Sequence, residues 1–332
     1  MVSFRRREVV AALAGAAASG LIPERADAAP DPAGDPAVRR VRAGVLDVAY
    51  RESGPPDGPP VILLHGFPYD VHAYAAVAPV LTKAGRRVIV PYLRGYGPTR
   101  FIEAATPRVG QQAALGTDLL ALLDALGLRR ATLAGFDWGA RAACVVAALY
   151  PERVSGLVSS GGPGYNIQNR ADFLKPRDAA FERRHWFYWY LNAQRGRAAF
   201  SNDPAGFCRY LWHDFSPTWN FDDATFMRTA AAFENPDFVT VALHSYRFRI
   251  GEVPGDPALE PIERQLSASP RITVPTIVLE GADEGVDPPE PPGTAAPHFT
   301  QLRRTTVLNG VGHNAPQEAP DLFAAAILDL DR

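Results

Sequence analysis

Cysteine is almost missing from this chain. Cys144 and Cys208 are the two among 332 residues. That is too few for the cross-linked framework of a small secreted domain, and no Cys/His spacing suggests zinc. A strong charge of either sign is missing too. Lys and Arg number 34 against 36 Asp and Glu, a formal net charge of −2, so nothing points to a nucleic-acid partner. The sequence has no glycine-rich phosphate or dinucleotide loop, no internal repeat, and no apolar run long enough for a membrane span. Neither a metal nor a cofactor is expected. What is present is a chain of 47% hydrophobic content, long enough for one large domain carrying an insertion.

The N-terminus stands apart. Ser3-Phe4-Arg5-Arg6-Arg7 precedes an alanine-rich stretch to Ile22, and Ala26-Asp27-Ala28 offers a small-residue cleavage site. We read residues 1–30 as a signal peptide of twin-arginine type. It predicts an exported bacterial protein, periplasmic or secreted, without a stable membrane anchor.

After residue 37, short apolar runs alternate with helical patterns. Val61-Ile62-Leu63-Leu64, Arg87-Val88-Ile89-Val90, the run through Ala131 and Leu133, Gly156-Leu157-Val158, the run after Pro275, and Thr306-Val307-Leu308 read as strands. Residues 111–128, 140–149 and 320–331 read as helices. This alternation predicts a mostly parallel α/β sheet flanked by helices. Cys144 falls on the helix 140–149 and Cys208 far from it, so both are expected as buried thiols.

The chemistry concentrates in Gly135-Phe136-Asp137-Trp138-Gly139. A strand enters this run and a helix leaves it. The glycines suit a sharp turn whose neighbours crowd together, and the free N–H groups of the helix start favour a carboxylate. The pattern has the Gly-x-nucleophile-x-Gly form, with Asp at the nucleophile position. A carboxylate attacks tetrahedral carbon by displacement and becomes an ester, which water then cleaves. Halide, or the oxygen of a strained epoxide, is a suitable leaving group. His65-Gly66-Phe67-Pro68 follows an apolar strand, so the N–H groups of Phe67 and Trp138 are candidate oxyanion donors. His313, in the loop after Thr306-Val307-Leu308, is the candidate general base. Two neighbouring carboxylates, Asp283 and Glu284, compete to orient it.

These runs, together with Leu93-Arg94-Gly95-Tyr96-Gly97 and the stretch from Gly312 to Glu318, make the chain resemble the α/β-hydrolase superfamily. Within it the likeness is to the epoxide hydrolase and haloalkane dehalogenase branch. The resemblance implies a core of residues 37–162 and 271–332, with a helical cap, 163–270, inserted over the site. It implies the order nucleophile, acid, histidine, and it favours Glu284 over Asp283 because related hydrolases carry the acid three residues past a strand-end glycine. It also implies cap tyrosines as proton donors to an epoxide oxygen. Tyr246, in a Ser-Tyr-Arg context, matches the second of these; the first falls on Phe187, Tyr188 or Tyr190. Dehalogenases of this kind hold the leaving halide on the indole N–H that follows the nucleophile, here Trp138, and Trp186 or Trp189 are candidates for a second donor.

The expected activity is therefore hydrolysis of an epoxide to a vicinal diol through an aspartyl ester, on a small apolar organic substrate with water as co-substrate. Haloalkane dehalogenation by the same residues is the alternative. A non-catalytic small-ligand binder on this fold is the rival of another class. Oligomeric state is not legible.

Overall fold

The computed structural model describes residues 36–331. The signal-peptide reading, residues 1–30, lies outside them. Nine strands among the described residues form one sheet: β1 Val38–Ala43, β2 Leu46–Ser53, β3 Pro60–Leu64, β4 Arg87–Pro91, β5 Arg100–Phe101, β6 Ala131–Phe136, β7 Val154–Ser160, β8 Thr276–Gly281 and β9 Leu302–Leu308. Their order is β1-β2-β4-β3-β6-β7-β8-β9, with β5 on β2. All pairs from β4 through β9 are parallel. Those made by β2 are antiparallel.

The inner parallel strands β3, β4, β6, β7 and β8 are buried almost throughout because both faces of the sheet are covered there, whereas the edge strand β9 is mostly exposed. Val61, Ile62, Leu63, Leu133 and Ala134 are fully buried. The helices Gln112–Ala125 and Trp138–Leu149 pack together, as do Val77–Lys83 and Pro320–Asp329. The antiparallel start has no matching signal in the sequence. β1 is an edge strand rich in arginine, and charge pairs tie it to β2: Arg39 to Glu52, and Arg40 to Asp47. Its pairing rests on these contacts more than on apolar periodicity. Cys144 and Cys208 are both buried free thiols.

Eight α-helices among the described residues lie between β7 and β8. Several begin on an aspartate whose carboxylate accepts a backbone N–H of the first turn: Asp178 from Phe181, Asp203 from Gly206, and Asp222 from Thr225. The aromatic residues they bring inward form one connected cluster with the core. No helix among the described residues is long and apolar enough to cross a membrane.

The feature that positions the site is the contact between β3 and the helix Trp138–Leu149. A Cβ placed on Gly139 would lie 1.9 Å from the Leu64 carbonyl oxygen, and one on Gly135 would lie 2.5 Å from the Gly139 backbone. Both neighbours are backbone and cannot swing aside. Gly139→Ala is expected to destabilise the fold by more than about 3 kcal/mol, read as a drop in Tm and in soluble yield. A normally stable variant would show that the helix can back away from β3.

Candidate active site

Asp137 caps the end of β6 with φ 49° and ψ −118°, a region that non-glycine residues rarely enter. Backbone bonds on both sides hold it there. Its N–H donates to the Ser160 carbonyl at 3.0 Å, and its own carbonyl accepts from the Arg141 N–H at 2.9 Å. The turn projects the carboxylate away from the sheet. The Phe67 N–H donates to Asp137 Oδ1 at 2.8 Å. Trp138 is the first residue of its helix, so its N–H has no acceptor within the helix.

The loop carrying Phe67 is anchored by His65, which is fully buried. Its Nδ1 lies 3.0 Å from the Gly66 carbonyl, and its Nε2 accepts the Leu93 N–H at 3.1 Å. Burial holds its pKa down to about 4, so it is a neutral ring joining two loops. Arg94 is structural as well: it forms a two-pronged pair with Asp118 and bonds the Val109 carbonyl.

His313 follows β9 and faces Asp137. Its Nδ1 lies 2.7 Å from Glu284 Oε2, and its Nε2 lies 4.0 Å from Asp137 Oδ2. Nε2 is buried and has no hydrogen-bond partner. The gap is too long for a direct bond. A water at ordinary bonding distance from both atoms would sit about 2 Å off the line joining them. Of the two neighbouring acids, Glu284 meets the imidazole; its other oxygen accepts the Val286 N–H. Asp283 is half-buried, and its backbone N–H bonds the Val311 carbonyl.

Burial disfavours the His313 imidazolium, yet the negative charges of Glu284, Asp137 and Asp287 together raise its pKa from 6.5 to about 9. Glu284 contributes most to that rise, through both its charge and its hydrogen bond. Esterification of Asp137 removes one of these charges and lowers the His313 pKa, so more of the imidazole is in the neutral form that can take a proton from water once the ester exists.

A cavity of about 450 Å³ opens onto this pair, lined by Asp137, His313, Tyr188, Tyr246, Arg141 and Arg249 among others. The Tyr188 and Tyr246 rings lie 5.2 Å apart. Burial, with the Asp137 carboxylate adding to it, pushes the Tyr246 phenol well above its ordinary value. Burial also raises Tyr188, whose oxygen accepts a hydrogen bond from Arg249. Both rings are therefore protonated at neutral pH.

Three aromatic expectations need correction. Tyr190 turns away from the cavity, stacking on Phe207 and leaning on Trp186. In the helix Trp186–Asn192, residues 187, 188 and 191 are buried while 190 shares the face of 186. Trp186 and Trp189 are not free indole donors, since they bond the Asp214 and Glu182 carboxylates. The indole N–H of Trp138 is buried without a partner, but neither Trp138 nor Phe67 lines the cavity.

Comparison with known proteins places this geometry. Residues 59–320 match the family described as alpha/beta hydrolase fold. The chain belongs to the α/β hydrolase fold family. A Klebsiella pneumoniae protein provisionally named an epoxide hydrolase has a crystal structure similar to this hydrolase, with a TM-score of 0.86 and 48% identity over 89% of this chain and 97% of that one. Epoxide hydrolase A of Mycobacterium tuberculosis is 27% identical, covering 90% of this chain and 98% of its own. A haloalkane dehalogenase of Mycolicibacterium paratuberculosis is 35% identical, but over 35% of this chain and 38% of its own.

The structure also brings residues to the site of this hydrolase that sequence reasoning passed over. Glu318 gathers the His313 loop, accepting from the N–H groups of Gly312 and Asn314 and from the Ser216 hydroxyl. Ser216 Oγ in turn accepts the His313 N–H at 2.9 Å. The spacing of Glu318 from His313 in the sequence carried no such signal, because Ser216 comes from a distant segment. Arg141 was legible in principle: it sits four residues after Asp137 on the same helical face. Arg249 and the His185–Asp287 pair, 3.2 Å apart, depend on how the segment between β7 and β8 folds back.

Removing a negative charge beside His313 destabilises its imidazolium, so its pKa should fall. An NMR titration of the His313 ring is expected to show a midpoint near 9 in the parent. The midpoint should be lower in Asp137→Asn and lower still in Glu284→Gln. A parent midpoint at or below the ordinary 6.5 would remove the electrostatic account.

Proposed function

We propose that this hydrolase opens epoxides to vicinal diols through an ester on Asp137. The observation that carries the reading is one cavity holding a projecting carboxylate, an imidazole 4.0 Å from it, and two protonated phenols. Asp137 Oδ2 faces His313 and is the attacking oxygen, while Oδ1 stays against the Phe67 N–H. Attack forms a C–O bond to one epoxide carbon and breaks that carbon's bond to the ring oxygen. A phenol proton from Tyr246 or Tyr188 goes to the departing alkoxide. In the second step His313 Nε2 takes a proton from water, and the hydroxide adds to the Asp137 carboxyl carbon. The resulting oxyanion forms at Oδ1, where the Phe67 and Trp138 N–H groups stabilise it. Collapse breaks the ester C–O bond; the proton of the added hydroxyl passes to the departing alkoxide, giving the second hydroxyl of the diol and restoring the Asp137 carboxylate, and the proton on His313 returns through the site to the tyrosinate. Glu284 keeps the imidazole oriented and stabilises its charge. Water serves as co-substrate, and the N-terminal leader read from the sequence supports an exported enzyme. The names of the similar proteins support this reading.

Haloalkane hydrolysis is the second reading. The observation on its side is the buried indole N–H of Trp138, unpartnered among the described residues and of the donor type a departing halide needs, although Trp138 does not line the cavity. It ranks lower because Trp186 and Trp189 are engaged elsewhere and a halide needs no phenol proton.

His313→Ala is expected to stop at the ester, giving intact protein heavier by one epoxide with the added mass on the Asp137 peptide. An unmodified protein across styrene oxide, aliphatic epoxides and haloalkanes would rule the scheme out. A halide-releasing adduct from haloalkanes alone would install the second reading. Tyr246→Phe and Tyr188→Phe should each slow adduct formation from epoxides, with the double variant losing about 10²-fold or more in single-turnover rate. An unchanged rate in the double variant would mean that the proton comes from elsewhere.

A further inference from the structure

We propose that the epoxide carries a carboxylate next to its ring, and that Arg141 and Arg249 hold that carboxylate. The inference rests on the Asp137 reading above and adds to it the class of substrate. Arg141 is 4% exposed and lines the cavity. Its Nε and Nη1 have no hydrogen-bond partner, and its one bond, from Nη2 to Asn166 Oδ1, is long at 3.4 Å. Arg249 comes from a different element, the helix Phe238–Arg249, lines the same cavity and is equally buried. It donates to the Tyr188 hydroxyl, and its guanidinium lies 4.9 Å and 5.0 Å from the ring centres of Tyr188 and Tyr246.

Neither guanidinium pairs with a carboxylate among the described residues. This chain does neutralise a buried arginine where the role is structural, as Arg94 with Asp118 shows. A buried cation without a counter-ion is costly, and two at one cavity wall oppose each other. Burial and the charge of Arg249 lower the Arg141 pKa to about 10. A bound anion relieves both penalties.

The charge count selects a monoanion. Asp137 is the negative charge that both arginines feel, and it is also the nucleophile. Asp287 lines the same cavity and feels Arg249 as well, but it is paired with His185; a monoanion therefore adds one charge opposite the two guanidiniums, whereas a dianionic phosphate would set two against Asp137 and Asp287. A planar carboxylate also fits the guanidinium fork. Arg141 follows Asp137 by one helical turn, about 5.4 Å of rise, so the carboxylate must sit close to the carbon under attack. The reacting unit is therefore an oxirane carboxylate, and its product is the 2,3-dihydroxycarboxylate, with the carboxylate itself unchanged. Phe187 and Phe215 also line the cavity, which suits an aromatic substituent on the far oxirane carbon.

The test compares 3-phenylglycidate with 3-phenylglycidamide, its uncharged counterpart of the same shape, on the wild-type protein. The kcat/KM for the carboxylate should exceed that for the amide by at least 30-fold. The product dihydroxycarboxylate should inhibit competitively, and its amide should not. In Arg141→Gln and Arg249→Gln the preference ratio should fall at least 10-fold, mainly through KM. The wild-type comparison and the inhibition assay decide the matter even if those variants fail to fold. An amide turned over as well as the carboxylate overturns the proposal. So does a His313→Ala adduct that forms with styrene oxide but not with the glycidate, and that result leaves the Asp137 reading standing. If no epoxide of any charge alkylates Asp137, both fail together.

Discussion

The site depends on how closely one helix approaches one strand. Leu64 and Gly139 meet backbone to backbone, at a distance that excludes any Cβ. That approach lets the chain reverse from β6 into the helix Trp138–Leu149 within a single residue. Asp137 absorbs the strain of the reversal and is thrust out of the sheet. The same approach brings the loop after β3 against the turn, so the Phe67 N–H finds Oδ1. Strain, projection and oxyanion donor share one steric cause.

Electrostatics organises the rest. Asp137, Glu284 and Asp287 raise the affinity of His313 for a proton, while burial alone would lower it. The balance changes during the reaction, since esterification takes away the charge of Asp137 and moves the imidazole toward the neutral base that the second step needs. Arg141 and Arg249 line the same cavity, buried and without carboxylate partners among the described residues. The nucleophile thus shares its cavity with a histidine held by anions and a pair of guanidiniums lacking one.

Much of this was visible along the chain. The apolar runs that became β3, β4, β6 and β8 were legible because strands covered on both faces need hydrophobic residues on both. The elbow was legible because glycine at two fixed positions has a steric reason. β1 and β2 were not, since an arginine-rich edge strand pairs through charge and hydrogen bonds that leave no periodicity. The helix Trp186–Asn192 shows the limit most clearly. Its aromatic run named the right kind of residue, but helical phase put Tyr188 on the cavity, left Tyr190 on the outer face and engaged both tryptophan donors with carboxylates.

The sequence by itself determined the parallel part of the sheet, the sharp turn and the types of reacting group, because each is a local matter of side-chain shape and spacing along the chain. Tertiary structure alone decided which acid meets His313, which tyrosines face Asp137, that Glu318 and Ser216 gather the histidine loop, and that Arg249 joins Arg141. These partners come from segments far apart in the chain. Glu284 and His313 meet because they follow neighbouring strands, β8 and β9; the other meetings depend on the packing of the helices between β7 and β8, which no local pattern encodes.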